Sequence, residues 1–301
     1  MSTRAGFGLL TFQAVPYPDL RDDVRFAERI GLDACWLADQ AVPDELPVLE
    51  AWTTLAALAA DTRTIRLGTL VTNVALRNAM LLARQALTVD QVSGGRLEVG
   101  IGAGYYESDH RWLGVDYLDA GGRMSRMTEV AEVLDRALRG ERVTYSGDHV
   151  HLEDAPSLPP TQLPRPPLWI AVMAGASMRL AARLAEGSAS FGADGLATEA
   201  TLAAFGDQMK RLDEICATAG RDPRSLRRSY LAGFAEEPVF GSMDAAADFI
   251  GRFVEAGATD FVFGLGGPSL PMYDGLVASG QFATREKLER LVADVLPRYR
   301  A

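Results

Sequence analysis

The chain has 301 residues, 48% of them hydrophobic and 23% charged, which allows one large barrel or two domains. Its formal net charge of −10 argues against a nucleic-acid partner, because such a partner requires a basic surface. No apolar run approaches the roughly 20 residues that span a bilayer, and the first residues lack the apolar core of a signal peptide. We therefore expect a soluble, cytoplasmic protein that does not contact a membrane.

Eight strand patterns alternate with amphipathic helix patterns along the chain. The strands begin near Phe7, Asp33, Ile65, Leu97, Leu168, Ser188, Arg227 and Asp260. The helices cover 20–30, 50–61, 78–92, 122–138, 177–186, 198–219, 243–256 and 285–296, with apolar residues at three-four spacing and glycine after several ends. Eight strand–helix units in sequence predict an α/β fold, a (β/α)8 TIM barrel, as a single domain over 1–301.

The alternative is an open doubly wound sheet that binds a dinucleotide. Such a sheet has a glycine-rich turn directly after its first strand. Here residues 13–18 read Gln-Ala-Val-Pro-Tyr-Pro, which cannot bring a backbone close to a pyrophosphate. The barrel is therefore favoured.

One connection, 140–167, is too long for a simple helix-to-strand loop. It contains a hairpin pattern, with strands at 142–145 and 149–152, and then a proline-rich segment, 156–167. Six prolines in that segment exclude a helix and favour extended structure. Insertions of this size are often functional, so we expect this one to cover the barrel mouth or to contact a partner subunit.

Unusual residues follow two of the predicted strands. Gly102 and Gly104 flank Ala103 after the fourth strand, where glycine permits a close approach to a planar ring or a phosphate. An ordinary strand-to-loop turn is the alternative. The run Gly175-Ala176-Ser177 opens the helix after the fifth strand, and a helix start with a serine hydroxyl suits a phosphate, although a plain helix cap is equally consistent. The carboxyl ends of parallel strands meet at one face, so these segments predict one site.

The candidate catalytic residues are Asp39, Asp109 and His110. Asp39 ends the second strand, where it could also cap a helix, and the other two lie on the predicted loop after the fourth strand. A surface-loop position is the alternative for His110. His149 and His151 alternate at strand spacing but have no nearby third ligand, so no metal site is predicted. Cys35 and Cys216 are interpreted as buried apolar residues.

The order of these motifs resembles the luciferase-like monooxygenase family over nearly the whole chain, from Phe7 to about Val262. The matching segments are 27–39, 65–73, 93–96, 100–104, 147–150 and 165–170. The resemblance implies an eight-stranded barrel that binds coenzyme F420 or FMN at its carboxyl-terminal face. Residues 104–114 are most similar to the F420-dependent, or deazaflavin, branch. Gln40 departs from the Asp-His pair that is usual in the family.

The resemblance also implies which residues hold the cofactor. The expected contacts are Leu70, Val71, Thr72, Gly102, Ala103, Gly104, Gly175, Ala176 and Ser177. Relatives carry a non-proline cis peptide at the position of Leu70–Val71, although nothing in these residues alone requires one. Family members tend to be dimers, so a homodimer is expected.

The sequence therefore predicts an oxidoreductase that transfers a hydride between F420 and a small organic substrate. One alternative is an FMN-dependent monooxygenase that uses reduced flavin and oxygen. Another, motivated by Gln40 and other departures, is a barrel that binds a flavin without turnover. Aromatic residues expected at the mouth, namely Phe12, Trp36, Trp112 and Phe191, suggest an apolar substrate pocket, although aromatic residues at strand ends just as often serve packing.

Overall fold

The computed structural model describes residues 5–40, 48–192, 197–266 and 273–300. Eight parallel strands close into a barrel in the order β1-β10-β9-β8-β7-β4-β3-β2, which confirms the predicted (β/α)8 fold. The barrel strands are β1 (Gly6–Thr11), β2 (Ala34–Asp39), β3 (Arg66–Asn73), β4 (Leu97–Gly102), β7 (Leu168–Ala171), β8 (Gly187–Ser190), β9 (Arg227–Leu231) and β10 (Asp260–Gly264). Two further strands, β5 (Val143–Ser146) and β6 (His151–Ala155), form a separate antiparallel pair.

Helices surround the barrel close to the positions that the periodicity predicts. They are α1 (Tyr17–Ile30), α2 (Ala51–Asp61), α3 (Ala79–Ser93), α4 (Glu107–Leu113), α5 (Ala120–Ala137), α6 (Gly175–Leu184), α7 (Thr198–Thr218), α8 (Met243–Glu255), α9 (Asp274–Ala278) and α10 (Arg285–Arg290). The predicted helix over 285–296 changes after α10 into a π-helical turn, Leu291–Val295. Two short helices, α4 and α9, were not predicted. Within the described ranges, no helix has the length and apolar character needed to cross a lipid bilayer.

Apolar residues fill two separate layers. The larger one lies between the strands and the surrounding helices, where it includes both cysteines as free, buried thiols. The smaller one lies inside the barrel and consists of Leu10, Trp36, Leu70, Trp169, Ala189 and Val262. The Trp36 and Trp169 rings meet edge to face at 5.5 Å, and together they close the middle of the barrel. Any ligand of the barrel must therefore approach from one end.

Charged side chains close the amino-terminal end of the barrel interior. Glu98 is only 2% exposed, accepts hydrogen bonds from Arg66 and from the Trp169 indole, and has an Arg227 guanidinium nitrogen 3.6 Å away. Arg227 also pairs with Asp260 and lies over the Trp169 ring at 4.8 Å. Each buried charge thus has an opposite charge beside it, as burial requires.

The proline-rich part of the long insertion lies away from the barrel mouth, at the amino-terminal end of the barrel. Asp90, at the end of α3, accepts the main-chain N–H of Thr161 at 2.7 Å and the Gln162 amide at 2.8 Å. Gln162 also bonds Arg66 (2.8 Å) and the main-chain oxygen of Leu97 (2.8 Å), which begin β3 and β4. The segment therefore crosses the amino-terminal end of the barrel, opposite to the predicted site.

The β5–β6 pair packs on the outside of α5. Glu129 of α5 accepts the main-chain N–H groups of Asp148, His149 and Val150, each at 2.9 Å, and these three bonds hold the turn between the two strands. Burial raises the pKa of Glu129, but the three N–H groups outweigh it, so the pKa lies below its ordinary value. The hairpin is anchored to a helix and not to the rim of the barrel.

Candidate functional site

Three adjacent strands, β3, β4 and β7, build a shallow floor at the carboxyl end of the barrel. The Leu70–Val71 peptide bond is cis. A Cβ added at Gly102 would lie 2.6 Å from Cγ2 of Val71 and 3.6 Å from Cβ of Ala171. Glycine is therefore required at 102 because the Val71 side chain occupies that space. Val71 and Ala171 remain only partly buried, so they present an apolar surface at the mouth.

Aromatic rings continue this apolar surface around the opposite side of the mouth. Phe191 lies 6.3 Å from Phe234, between ring centroids, and Phe234 lies 6.3 Å from Phe282. Phe282 is 5.9 Å from Phe12, which is 4.4 Å from Tyr273. We call these five residues the aromatic arc. Four of the five rings are half-buried, namely Phe12, Phe191, Phe234 and Tyr273. These rings pack against each other and still expose apolar surface to a ligand.

His110 and Gly104 belong to one buried hydrogen-bonded group. His110 is fully buried, with Nδ1 3.1 Å from the main-chain oxygen of Asp116 and Nε2 3.4 Å from the Asn73 amide nitrogen. Gly104 has a φ of +84°, and a Cβ there would meet Asn73 Oδ1 at 2.5 Å. Both ring nitrogens of His110 are used inside the protein, which argues against proton transfer by this residue. Asp109, 3% exposed, is buried beside it.

Asp39 belongs to a charged network at the ends of β2 and β3. Arg77 forms two hydrogen bonds to its carboxylate, one of 2.9 Å, and also pairs with Glu50, the N-cap of α2. Burial raises the pKa of Asp39 to about 6, although Arg77 and the Thr72 hydroxyl act in the opposite direction. For Glu50, hydrogen bonds from the start of α2 and from Arg77 outweigh burial, so its pKa is lowered. The network fixes the β3–α3 connection against α2.

The start of α6 offers unused hydrogen-bond donors directly after β7. In the described part of the chain, the main-chain N–H groups of Gly175 and Ala176 have no acceptor. Ser177 has a different role from the predicted one, since its hydroxyl accepts from the N–H of Met173 (3.2 Å) and donates to the main-chain oxygen of Ala174 (2.9 Å). The helix start can hold an anion through its backbone, while Ser177 fixes the shape of the turn.

Eight of the predicted site residues divide into two groups. Leu70, Val71, Gly102, Ala103 and Gly175 border the mouth or the start of α6. In contrast, Asp39, Asp109 and His110 are at most 4% exposed, and Asp39 and His110 hold neighbouring segments together. Trp36 lies below the mouth in the interior layer, and Trp112 is on the exposed surface of α4.

Sequence reasoning missed Arg77, Asn73 and the members of the aromatic arc other than Phe12 and Phe191. Arg77 follows Asn73 by four residues beyond the end of β3, so its position after a barrel strand was a usable signal. The pairing of Asn73 with His110 depends on side-chain placement that the sequence does not display.

Known proteins share this architecture. A family model described as luciferase-like monooxygenase matches residues 2–235. A 5,10-methylenetetrahydromethanopterin reductase from Methanolobus tindarius is 25% identical over 282 residues, which cover 92% of this chain and 80% of the relative. An F420-dependent glucose-6-phosphate dehydrogenase from Microbacterium testaceum is 31% identical over 179 residues, covering 56% of this chain and 51% of the relative. Several curated relatives are matched over only 37% to 51% of their own length.

Solved structures show the same fold. That of a coenzyme F420 dependent tetrahydromethanopterin reductase from Methanopyrus kandleri superimposes with a TM-score of 0.79 at 18% identity, covering 98% of this chain and 99% of the other. The family model spans well over half of the 301 residues and includes every strand up to β9. This chain belongs to the luciferase-like monooxygenase family.

Proposed function

We propose that this protein, an oxidoreductase of the luciferase-like family, transfers a hydride between coenzyme F420 and a small apolar organic substrate. One observation carries the proposal: an apolar floor and an anion-binding helix start lie on consecutive strands. Val71 of β3 packs across Gly102 of β4, which borders Ala171 of β7, and Gly175 follows four residues later. A cofactor that joins a flat ring to a phosphate matches this order.

The residues present fit such a cofactor. Val71 offers an apolar side chain against which a ring could stack, and the N–H groups of Gly175 and Ala176 would hold a phosphate through hydrogen bonds. When bound, the deazaflavin ring supplies the hydride, and the protein supplies orientation and exclusion of water. Leu70, Thr72, Ala103 and Gly104 support this floor through the backbone of β3 and the segment after β4.

The substrate side of the mouth favours an uncharged ligand. Phe12 and Phe234 of the aromatic arc pack against the interior layer of the barrel, which includes Leu10 and Val262. Arg77, a cation at the ends of β2 and β3, is already engaged by Asp39 and Glu50. An apolar substrate therefore loses little hydration on entry, whereas a charged one would lose its water without a counter-ion.

Asp39 and His110 act as positioning residues in this proposal, and Asp109 is buried next to His110. Asp39 orients Arg77 at the β3–α3 connection, and His110 holds Asn73 and hence the segment after β3. Their burial keeps them from contacting a ligand directly.

An FMN-dependent monooxygenase that uses oxygen is the second candidate. The description of the matching family model favours it, and FMN also joins a flat tricyclic ring to a phosphate. The non-catalytic flavin-binding barrel is not retained, because the family and the named relatives are enzymes.

Titration of the purified protein with F420 and with FMN, followed by fluorescence, tests the cofactor. The proposal expects F420 to bind at least tenfold more tightly than FMN. Turnover is then measured without oxygen, where a deazaflavin hydride donor works and a monooxygenase does not. Binding of neither cofactor would refute both candidates, and turnover that requires oxygen would select the second.

We also propose that the protein is a homodimer. Exposed apolar side chains on α3, Leu81 (53% exposed) and Val92 (49% exposed), provide a surface that a second copy can cover. Light scattering coupled to gel filtration gives the mass directly, and a mass near 32.4 kDa for the native protein would contradict this proposal.

A further inference from the structure

A groove of about 1000 Å³ lies on the outer surface of the barrel between α5, α6 and α7. Three of its lining side chains are acidic, Asp135, Glu186 and Glu214, whereas six are basic. The basic ones are Arg139, Arg165, Arg179, Arg183, Arg211 and Arg221. The chain as a whole carries a formal charge of −10, so this groove concentrates positive charge on an otherwise acidic protein. Such a local field attracts anions.

Four of these arginines are anchored to the protein. Asp135 accepts hydrogen bonds from both Arg139 and Arg165, at 2.9 Å each. Arg183 pairs with a glutamate of α5 at 2.6 Å, and Arg221 donates to main-chain oxygens at the end of α6 at 3.1 and 3.2 Å. These contacts fix the walls of the groove. Asp135 is neutralised by Arg139 and Arg165, so its negative charge does not repel an anionic ligand.

The other two, Arg179 and Arg211, have no hydrogen-bond acceptor or carboxylate partner anywhere in the described ranges. Both converge on Gly175, since a Cβ added there would lie 2.9 Å from Nη2 of Arg211 and 3.3 Å from Nη1 of Arg179. Two guanidinium groups held this close repel each other unless an anion lies between them. Guanidinium groups bind phosphate and carboxylate through paired hydrogen bonds.

We propose that this groove binds a small linear polyanion, a ligand with two or more phosphate or carboxylate groups. The first group would lie between Arg179 and Arg211. The second would lie lower in the groove, where Arg183 (53% exposed) and Arg139 (34% exposed) still present N–H groups to solvent beside their partners. A single anion would use only the upper end, so the length of the groove favours a chain of charges.

The proposal does not depend on the cofactor assignment, although the upper end of the groove adjoins the proposed phosphate position at Gly175. Two kinds of ligand could supply this row of negative charges. The polyanion is either a free metabolite or the charged extension of a cofactor whose phosphate is at the start of α6. Both present a row of negative charges to the same arginines.

Calorimetric titration with sodium tripolyphosphate, with inorganic phosphate for comparison, tests the groove. We expect tripolyphosphate to bind at least tenfold more tightly than phosphate, with affinity falling as salt rises. The variant Arg179→Gln/Arg211→Gln should weaken tripolyphosphate binding at least tenfold. The matched control is Arg84→Gln/Arg290→Gln, which removes two exposed arginines without described partners and changes the net charge equally. The control should change the affinity by less than twofold.

Equal losses of tripolyphosphate affinity in the two double variants would overturn the proposal, because the binding would then depend only on the net charge of the protein. Equal affinity for phosphate and tripolyphosphate would overturn the polyanion. The tripolyphosphate titration is then repeated at saturating F420 or FMN to identify the source of the polyanion. Weaker tripolyphosphate binding in the presence of the cofactor indicates a cofactor extension, whereas unchanged binding indicates a separate ligand. Either result supports an anion site in the groove. If neither cofactor binds while tripolyphosphate does, the proposed function fails and this proposal stands.

Discussion

The two ends of the barrel use their side chains in opposite ways. At the amino-terminal end, Glu98 and Asp260 are paired with Arg66 and Arg227, and the proline-rich segment crosses over them. At the carboxyl-terminal end, half-buried apolar residues such as Val71 face the mouth. We propose that a ligand binds only at the carboxyl-terminal end. The charged groups at the amino-terminal end are already paired with one another, whereas an exposed apolar surface is stabilised when a ligand covers it.

The largest effect is expected from Glu98→Ala at the amino-terminal end. The substitution leaves Arg66 and Arg227 without their shared carboxylate and the Trp169 indole without an acceptor. Removing one partner of a buried ion pair typically costs about 3 to 5 kcal/mol, and partial exposure of both arginines favours the lower figure. Urea unfolding measures this loss.

Glu98→Ala also tests whether the two ends of the barrel are independent. Its dissociation constant for the bound cofactor should stay within twofold of the native value, because no residue of the mouth is altered. Asp207→Ala, which breaks a pair on the exposed surface of α7, should cost no more than about 0.5 kcal/mol. A tenfold loss of cofactor affinity in Glu98→Ala would show that the two ends are not independent.

The next largest effect is expected from Gly102→Ala at the carboxyl-terminal end. The new methyl group would lie 2.6 Å from Cγ2 of Val71, so Val71 must shift, at a cost of about 1 to 3 kcal/mol. Because Val71 forms the proposed surface for the ring, cofactor affinity should fall at least tenfold. Fluorescence titration and urea unfolding measure the two effects separately.

A double-mutant cycle with Val71→Ala isolates this contact. Gly102→Ala should cost less in the Val71→Ala background, because the atom that it meets is gone. Cofactor affinity should not recover, since the apolar surface is then missing. Equal costs of Gly102→Ala in both backgrounds would mean that the glycine is required for another reason.

A smaller effect is expected from His110→Gln. The substitution removes the hydrogen bond from Nδ1 to Asp116 or the contact with Asn73, and one buried bond left unmade costs about 1 to 3 kcal/mol. Because His110 is fully buried, the pH dependence of turnover should keep its shape. Loss of one limb of the pH–rate profile would instead assign proton transfer to His110.

The barrel fold could be predicted from the sequence, because strands and helices are specified by nearby residues. Strand and helix patterns alternate over short windows, and Gly31, Gly94 and Gly114 mark helix ends with a left-handed residue. The signal for α4 was present too, since Gly114 closes it and Glu107 lies in its first turn. Its residues were nevertheless interpreted as a loop, because seven residues are too few for a periodic pattern.

The site was only partly readable, because it depends on contacts between distant segments. Gly102 was interpreted as room for a ligand, whereas Val71, a residue of another strand, fills that space. The insertion was placed at the mouth, whereas Asp90 holds Gln162 at the other end of the barrel. Neither contact can be predicted from the residues next to Gly102 or Gln162 in the sequence. The sequence pattern therefore identifies unusual positions but not the residues that they contact.

The smallest expected effect concerns Asp39 and depends on pH. Burial raises its pKa in the folded protein to about 6, above its ordinary value of 3.8. The folded state therefore binds this proton more tightly than the unfolded state, so the stability contributed by Asp39 falls as pH rises towards 6 and is absent above it. Between about pH 5 and about pH 7, the native protein should lose about 1 kcal/mol relative to Asp39→Asn. A pH dependence that is the same in native protein and Asp39→Asn would mean that Arg77 keeps Asp39 ionised throughout, and the rim of the mouth would then carry a fixed ion pair like those at the amino-terminal end.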